Sequence, residues 1–84
     1  MTTYNGWTNY ATWRVNLELF DGYDARDFML PRDLFDAAAA LKDMAEELIC
    51  EQAPEGLARD YALAFISDVN WREIATHMLE DAEQ

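Results

Sequence analysis

Acidic side chains are the residues of this sequence whose number and spacing could support a chemical function. The chain has 84 residues, of which 17 are Asp or Glu and 6 are Lys or Arg, so its formal net charge is -11. This balance excludes nucleic acid and anionic membranes as ligands of the surface at large, because both bind a basic face. The chemistries open to so many carboxylates are acid–base catalysis, cation binding and the binding of a basic partner.

Catalytic and metal-binding patterns are weak in this sequence. A nucleophilic site would have to pair Cys50 with His77, the only cysteine and the only histidine, and nothing in their predicted positions brings them together. Asp21, Asp24 and Asp27 are three residues apart, but they lack the Asp-x-Asp-x-Asp-Gly order and the terminal Glu of an EF-hand loop. We therefore predict that the protein is not an enzyme and holds no metal and no cofactor.

The elements that position the acids are predicted to be helices. A chain this short forms one domain, and its 51% hydrophobic residues are enough for a folded core. Apolar residues recur with helical spacing, which predicts an all-α fold, a compact bundle of about four helices over residues 1–84. One cysteine forms no internal disulfide, and neither a signal peptide nor a membrane-spanning run is predicted, so we expect a cytoplasmic location.

The first predicted helix follows Asn9, a favourable N-cap residue, and carries apolar residues at Trp13, Leu17 and Phe20. Apolar and polar residues also alternate within residues 10–20, which is the spacing of a strand. We favour the helix, and the strand remains the alternative.

Two further helices contain most of the acids. One begins with Pro31 at its first position, has Asp33 in its first turn and runs to about Glu51. The other lies near the carboxyl end and is capped by Asn70. Glu73 is expected to reach back to this cap in a capping-box arrangement.

Between these two lies another predicted helix, which starts at Ala53-Pro54-Glu55 and runs to about Asp68. Gly56 is close enough to its end to be tolerated. The residues that provide its apolar side are Leu57, Tyr61, Ala62 and Phe65.

A helical projection at about 100° per residue separates the acidic and apolar residues of the second helix. Its apolar face comprises Leu34, Ala38, Leu41, Ala45, Leu48 and Ile49. The opposite side is an acidic ridge, within a sector of about 80°, formed by Asp33, Asp36, Asp43, Glu47 and Glu51. A second acidic row on the last helix comprises Glu73, Glu80 and Glu83. One ridge has a carboxylate every ~5 to 7 Å and is too sparse to imitate a duplex with one charge per ~1.7 Å, but two adjacent rows approach the density of one strand.

The acidic ridge has two explanations. Amphipathic helices normally expose charged residues, and a net charge of about 2 to 8 in magnitude already keeps a small domain soluble. This chain exceeds that range, and Glu47 and Glu51 lie near a helix carboxyl end, where the helix dipole disfavours each by about 0.3 to 1 kcal/mol. Because few lysines are present to pair with these acids, we favour an anionic interaction surface over a merely solvated face.

Aromatic residues recur at every third position of the amino-terminal segment, at Tyr4, Trp7, Tyr10 and Trp13. Proteins that bind single strands stack bases on such side chains, but they combine them with a basic groove that this sequence lacks. We therefore expect these side chains to pack in the core. The neutral first 20 residues would then hold the acidic helices together.

Two segments resemble known sequences: residues 4–13, Tyr-Asn-Gly-Trp-Thr-Asn-Tyr-Ala-Thr-Trp, and residues 69–75, Val-Asn-Trp-Arg-Glu-Ile-Ala. Together they resemble a family of short proteins of phages, plasmids and other mobile elements, most of which have no assigned activity. Small acidic anti-CRISPR proteins occur in the same genetic setting, and this chain looks like one of them, an inhibitor of a type I surveillance complex. The matching residues are aromatic and capping residues, so the resemblance carries over the fold. The acidic middle of the chain lies outside both segments.

The resulting expectation is a non-enzymatic inhibitor that presents carboxylates in place of DNA phosphates to a host DNA-targeting defence complex. Its partner is expected to be the basic DNA-binding surface of that complex, such as type I CRISPR Cascade, in the cytoplasm of the bacterial host. We expect no direct nucleic-acid binding, no membrane binding and a monomeric inhibitor. The alternatives are an anti-restriction DNA mimic and a small phage regulator that binds a host protein through apolar contacts.

Overall fold

Four α-helices form the protein in the computed structural model, which describes residues 4–82. They are α1 (Tyr10–Val15), which continues into a π-helical turn (Asn16–Phe20), α2 (Leu34–Gln52), α3 (Leu57–Ile66) and α4 (Trp71–Ala82). The only strand-like pairing among the described residues is an isolated bridge between Tyr4 and Trp7. The predicted all-α fold is confirmed, and residues 10–20 are helical rather than a strand.

The core is centred on α2 and α4, which make the most extensive helix–helix contact. Leu41 of α2 and Ile74 of α4 are completely buried. The predicted apolar face of α2 is buried at Ala38, Leu41 and Ala45, and Ala37 joins them at 0% exposure. Because three of these four residues are alanines, α2 can approach its neighbours closely. The remaining members of the predicted face are half-buried: Leu34, Leu48 and Ile49.

The first helix begins as predicted, since the backbone N–H of Thr12 donates to Asn9 Oδ1 at 2.9 Å. Its buried side differs from the prediction. Val15 and Phe20 are buried, whereas Leu17 is 44% exposed. A π-helical turn bonds residue i to i+5, so it brings Val15 and Phe20 to the same side and rotates Leu17 toward solvent.

Two helix starts differ from the predicted ones. Pro31 lies outside α2. The N-cap of α2 is Asp33, whose carboxylate accepts a hydrogen bond from the Asp36 N–H at 2.9 Å. The extended backbone of Asp33 precedes the helix, as is usual for an N-cap residue. The predicted start at residues 53–55 also came too early, because Gly56 is the N-cap of α3. Its φ of 148° lies in the region that favours glycine, so Gly56 ends the connection rather than lying within a helix.

α3 exposes most of the side that was predicted as its apolar face. Leu57 is 66% exposed, Tyr61 69% and Phe65 39%. The residues that face the core are instead Ile66, which is buried, and Leu63, which packs against the core cluster. Both sides of α3 are therefore apolar, and the sequence pattern alone could not distinguish the inner side from the outer one.

The segment between α1 and α2 folds back against α4. The backbone N–H of Ala25 donates to the carbonyl of Met78 at 3.2 Å, and Ala25 is buried. The ring of Phe28 meets that of buried Phe20 edge to face, with centroids 5.7 Å apart. These contacts hold the connection in place ahead of α2.

Candidate anionic interface

The acidic ridge predicted from the sequence lies along α2, and each of its residues is exposed. These residues are Asp33, Asp36, Asp43, Glu47 and Glu51. α2 is an uninterrupted helix of 19 residues, so it holds the five carboxylates along about 27 Å of one axis. This helix provides fixed spacing of charge without any loop or hinge between the acids.

The two ends of the ridge differ in their role in the fold. Asp33 caps α2, and Asp36 lies in its first turn, where the helix dipole favours negative charge. Asp43 lies at the middle of α2, Glu47 lies in its carboxyl-terminal half, and Glu51 lies in its last turn, where the dipole disfavours negative charge. Within residues 4–82, the side chains of these last three form neither a hydrogen bond nor an ion pair. The carboxyl-terminal half of the ridge therefore does not stabilise the fold.

Basic side chains do not neutralise the ridge. In the described part of the chain, the ion pairs are Arg14 with Glu18 at 2.8 Å and Arg26 with Asp24 at 2.9 Å, and none of these residues lies on α2. The hydrogen bond from the Arg26 guanidinium lowers the pKa of Asp24 below its ordinary value, and the same bond raises the pKa of Arg26. Both pairs lie on the surface near α1 and the segment that follows it.

Arg59 of α3 contacts the carboxyl end of α2, where it binds backbone carbonyls rather than carboxylates. Its guanidinium donates to the carbonyls of Cys50 at 2.9 Å and Ala53 at 3.0 Å. A positive charge here caps free carbonyls and offsets the negative end of the α2 dipole. Sequence reasoning missed this role, because the spacing of Arg59 from α2 becomes meaningful only once the turn between α2 and α3 is known.

One further acid of α2 belongs to the same surface. Glu46 lines a shallow depression together with Asp43, Glu47 and Cys50. Glu46 lies outside the sector predicted for the ridge, at about 60° from Asp43 in a helical projection. Its inclusion widens the anionic surface beyond the predicted sector.

The predicted second row on α4 is not equivalent to the ridge. Glu73 is half-buried, and its Oε1 accepts a 2.9 Å hydrogen bond from the backbone N–H of Thr8. The expected capping box is therefore wrong in one bond: Asn70 caps the Glu73 N–H at 3.1 Å, but the carboxylate binds Thr8 instead of returning to Asn70. Glu80 is exposed, and Glu83 lies outside the described residues.

Residues 4–13 and 69–75 are hydrogen-bonded to each other. Asn9 Nδ2 donates to the carbonyl of Asp68, just before the second segment, at 2.9 Å. Asn70 donates twice, from its backbone N–H to Thr12 Oγ1 at 2.8 Å and from Nδ2 to Thr8 Oγ1 at 3.0 Å. These polar residues of the segments therefore build the scaffold that supports the acidic helices.

The aromatic residues of the amino-terminal segment are only partly buried. Trp7 is half-buried, and its ring stacks on that of His77 with centroids 4.5 Å apart. Trp13 is also half-buried, but Tyr4 is 39% and Tyr10 44% exposed, so the expected core packing is wrong for the two tyrosines. They lie at the surface because they pack on each other, at 5.1 Å, rather than beneath the helices.

A tight turn before α1 was not anticipated. Asn5 and Gly6 have φ values of 48° and 85°, and Tyr4 and Trp7 exchange both backbone hydrogen bonds at 2.8 Å. This is the geometry of a type I′ turn, for which Asn-Gly is a strong sequence signal. The signal was therefore present in the sequence.

The described residues offer little for other chemistries. Among residues 4–82, no three or more His, Cys, Asp or Glu side chains are grouped so that they could hold a metal ion. Asp27, one of the three aspartates compared with a calcium-binding loop, accepts a 2.7 Å hydrogen bond from the Asp24 N–H within its own turn. Cys50 lies beside the acids of α2, whereas His77 packs on Trp7. None of the helices in this range has the length and apolarity needed to cross a bilayer.

No family model, curated protein or solved structure matches this chain. The function of the protein must therefore be inferred from its own surfaces.

Proposed function

We propose that this protein is a non-enzymatic inhibitor that binds the basic DNA-binding surface of a host defence complex in the bacterial cytoplasm. The acidic ridge of α2, with Glu46 beside it, contacts the Lys and Arg side chains that otherwise hold DNA phosphates. Its charge is sparser than that of a duplex, so it covers part of the DNA-binding surface and does not reproduce a whole duplex. The observation that carries the proposal is the exposure of Asp43, Glu47 and Glu51 on one continuous helix, without an ion pair or hydrogen bond in the described residues.

The positions of these three acids support a role outside the fold. Glu51 lies in the last turn of α2, where an exposed carboxylate is unfavourable by about 0.3 to 1 kcal/mol, and Asp43 and Glu47 lie beyond the first turn, which is where the dipole would favour them. A channel that holds a nucleic-acid backbone with Lys and Arg responds to charge placement more than to base identity. Carboxylates on a rigid helix also avoid the ordering cost that a flexible acidic tail incurs on binding.

The resemblance of residues 4–13 and 69–75 to mobile-element proteins supports a target among the defence systems that such elements meet. We propose the type I CRISPR surveillance complex as that target, which makes the protein an anti-CRISPR. An anti-restriction mimic would use the same ridge against a methyltransferase or nuclease. The alternative target is distinguished by which purified enzyme loses DNA binding when the protein is added.

The test is a competition assay with the purified surveillance complex and its target DNA over a salt series. We expect the protein to displace the DNA, with an affinity that falls as salt rises from about 0.05 to about 0.2 M. Reversing two ridge charges, with Asp43→Lys and Glu47→Lys together, should abolish the competition.

The matched control is the double variant Glu55→Lys and Asp81→Lys, which changes the net charge equally at two exposed positions outside α2. It should retain most of the competition, because the ridge is intact. An affinity that does not change with salt, or DNA that binds undisturbed beside the protein, would contradict the proposal. Equal losses in the two double variants would show that net charge matters and the ridge does not.

A further inference from the structure

The side of α3 that faces away from the core is almost entirely apolar. This outer face consists of Leu57, Ala58, Asp60, Tyr61, Ala64 and Phe65, all of which are exposed. Asp60 is its only charged residue. Exposed apolar surface of this kind commonly marks a protein–protein contact.

The apolar surface continues from α3 onto α1. The Phe65 ring meets that of Tyr10 edge to face, with centroids 6.2 Å apart, and Tyr10 in turn packs on Tyr4 at 5.1 Å. An aromatic side chain offers about 150 to 250 Å², so the exposed fractions of these three residues with Tyr61 and Leu57 amount to about 500 Å². That is near the upper end of the largest apolar patch on a typical monomer.

We propose that the outer face of α3 binds a second copy of this chain, α3 against α3, in a two-fold symmetric dimer. Charge is the first reason. Two molecules of charge -11 repel each other over most of their surfaces, and the outer face contains a single acid, Asp60. The sequence alone favours a monomer, and the exposed face of α3 is what changes this expectation.

The arrangement of side chains on the outer face is self-complementary. Leu57, Tyr61 and Phe65 are four residues apart and form one ridge, with the small side chains of Ala58 and Ala64 beside it. Packing of such ridges into the grooves of a facing helix is the commonest mode of helix contact in globular proteins. A two-fold axis makes the same ridge meet itself, as a symmetric dimer requires.

The size of the face fits a reversible dimer. Two copies that cover the outer face together with Tyr4 and Tyr10 would bury about 1,000 Å² in total, which is at the low end for specific interfaces. We therefore expect a dissociation constant on the order of 10 to 100 µM. This inference goes beyond the proposed function and does not depend on it.

The test is sedimentation of the full chain over a concentration series at about 0.05 and about 0.5 M NaCl. We expect a dimer that forms more tightly at high salt, because salt screens the repulsion between two acidic molecules. Binding through the acidic ridge has the opposite salt dependence, and the dimer experiment contains no target. A failed dimer prediction is therefore distinguishable from a failure of the proposed function.

Tyr61→Glu should weaken the dimer at least ~30-fold, since it replaces the central aromatic side chain by a second negative charge beside Asp60. The matched control is Phe35→Ser, which removes another aromatic side chain, 74% exposed, from α2 instead of α3. It should change the dissociation constant less than about twofold. Both positions are exposed, so both variants should retain the helical circular dichroism of the unmodified chain.

A chain that remains monomeric at about 1 mM in high salt would overturn the inference. So would a dimer that Phe35→Ser disrupts and Tyr61→Glu leaves intact. A monomer whose α3 amide signals shift only on addition of a different protein would assign the outer face to that protein, and would equally overturn the dimer.

Discussion

The hydroxyl of Thr12 on α1 accepts a 2.8 Å hydrogen bond from the backbone N–H of Asn70, which caps α4. Thr12 is completely buried, and its own O–H donates to Asn9 Oδ1 at 2.7 Å. The same Asn9 oxygen caps α1. Thr12 and Asn70 are 58 residues apart in the chain, so this one buried side chain connects the caps of α1 and α4.

Replacement of Thr12 by Val should lower the free energy of unfolding by about 2 kcal/mol, since it leaves the buried Asn70 N–H without an acceptor. Urea denaturation followed by circular dichroism measures the change. Thr12→Ser is the control, because it keeps the hydroxyl and loses only a methyl group, at a cost of about 1 kcal/mol. Equal destabilisation by the two variants would show that the hydroxyl does not matter.

Substitution by alanine should reduce stability strongly at Leu41 and only slightly at Leu17. Leu41→Ala should cost about 3 to 5 kcal/mol, because Leu41 is completely buried between the helices. Leu17→Ala should cost less than about 1 kcal/mol, because the π-helical turn exposes this residue to 44%. Similar losses of stability in the two variants would contradict the burial assigned to residues 16–20.

Local signals in the sequence predicted several features of the fold. Asn9 and Asn70 were identified as N-caps because asparagine precedes a helical apolar pattern in both places, and both caps are present. The exposed side of α2 followed from helical spacing alone. Such features depend on residues within one or two turns of each other, so a sequence contains the information directly.

Some errors were local, such as the helix starts at Asp33 and Gly56 and the turn at Asn5-Gly6. The others depend on the packing of the whole chain. The π-helical turn changes which residues of the first helix face the core, and the hydrogen bond of Glu73 goes to Thr8, 65 residues away. Neither is visible in a local pattern. The orientation of α3 was ambiguous because both of its sides are apolar, and only packing against α2 and α1 determines which side is buried.

Glu73 is expected to serve the fold more than the anionic surface. Glu73→Ala removes the acceptor of the half-buried Thr8 backbone N–H and should lower the free energy of unfolding by about 1 to 2 kcal/mol. Glu73→Gln retains an acceptor oxygen and should cost clearly less. The glutamine variant should also inhibit DNA binding by the target as well as the unmodified protein does. A large loss of inhibition with normal stability would instead place Glu73 in the interface.

Asp24 should titrate below the ordinary aspartate range, because the side-chain hydrogen bond from Arg26 lowers its pKa. A pKa that is lower in the folded state contributes stability above the unfolded pKa, and this contribution is lost as pH falls through the folded pKa. Carboxyl chemical shifts recorded over a pH series measure the titration. Arg26→Gln should return the Asp24 pKa toward its ordinary value, and an unchanged titration in this variant would exclude the assigned cause.

The acids at the carboxyl end of the ridge should oppose stability while they support binding. Glu51→Gln should raise the free energy of unfolding by about 0.3 to 1 kcal/mol, because it removes a negative charge from the unfavourable end of the α2 dipole. Asp36→Asn is the matched control at the other end of the same helix, and it should lower stability by a similar amount. Both variants remove one ridge charge, so both should weaken competition with DNA at low salt. If Glu51→Gln destabilises the protein as Asp36→Asn does, or if neither variant changes the competition, then the ridge was not shaped by binding.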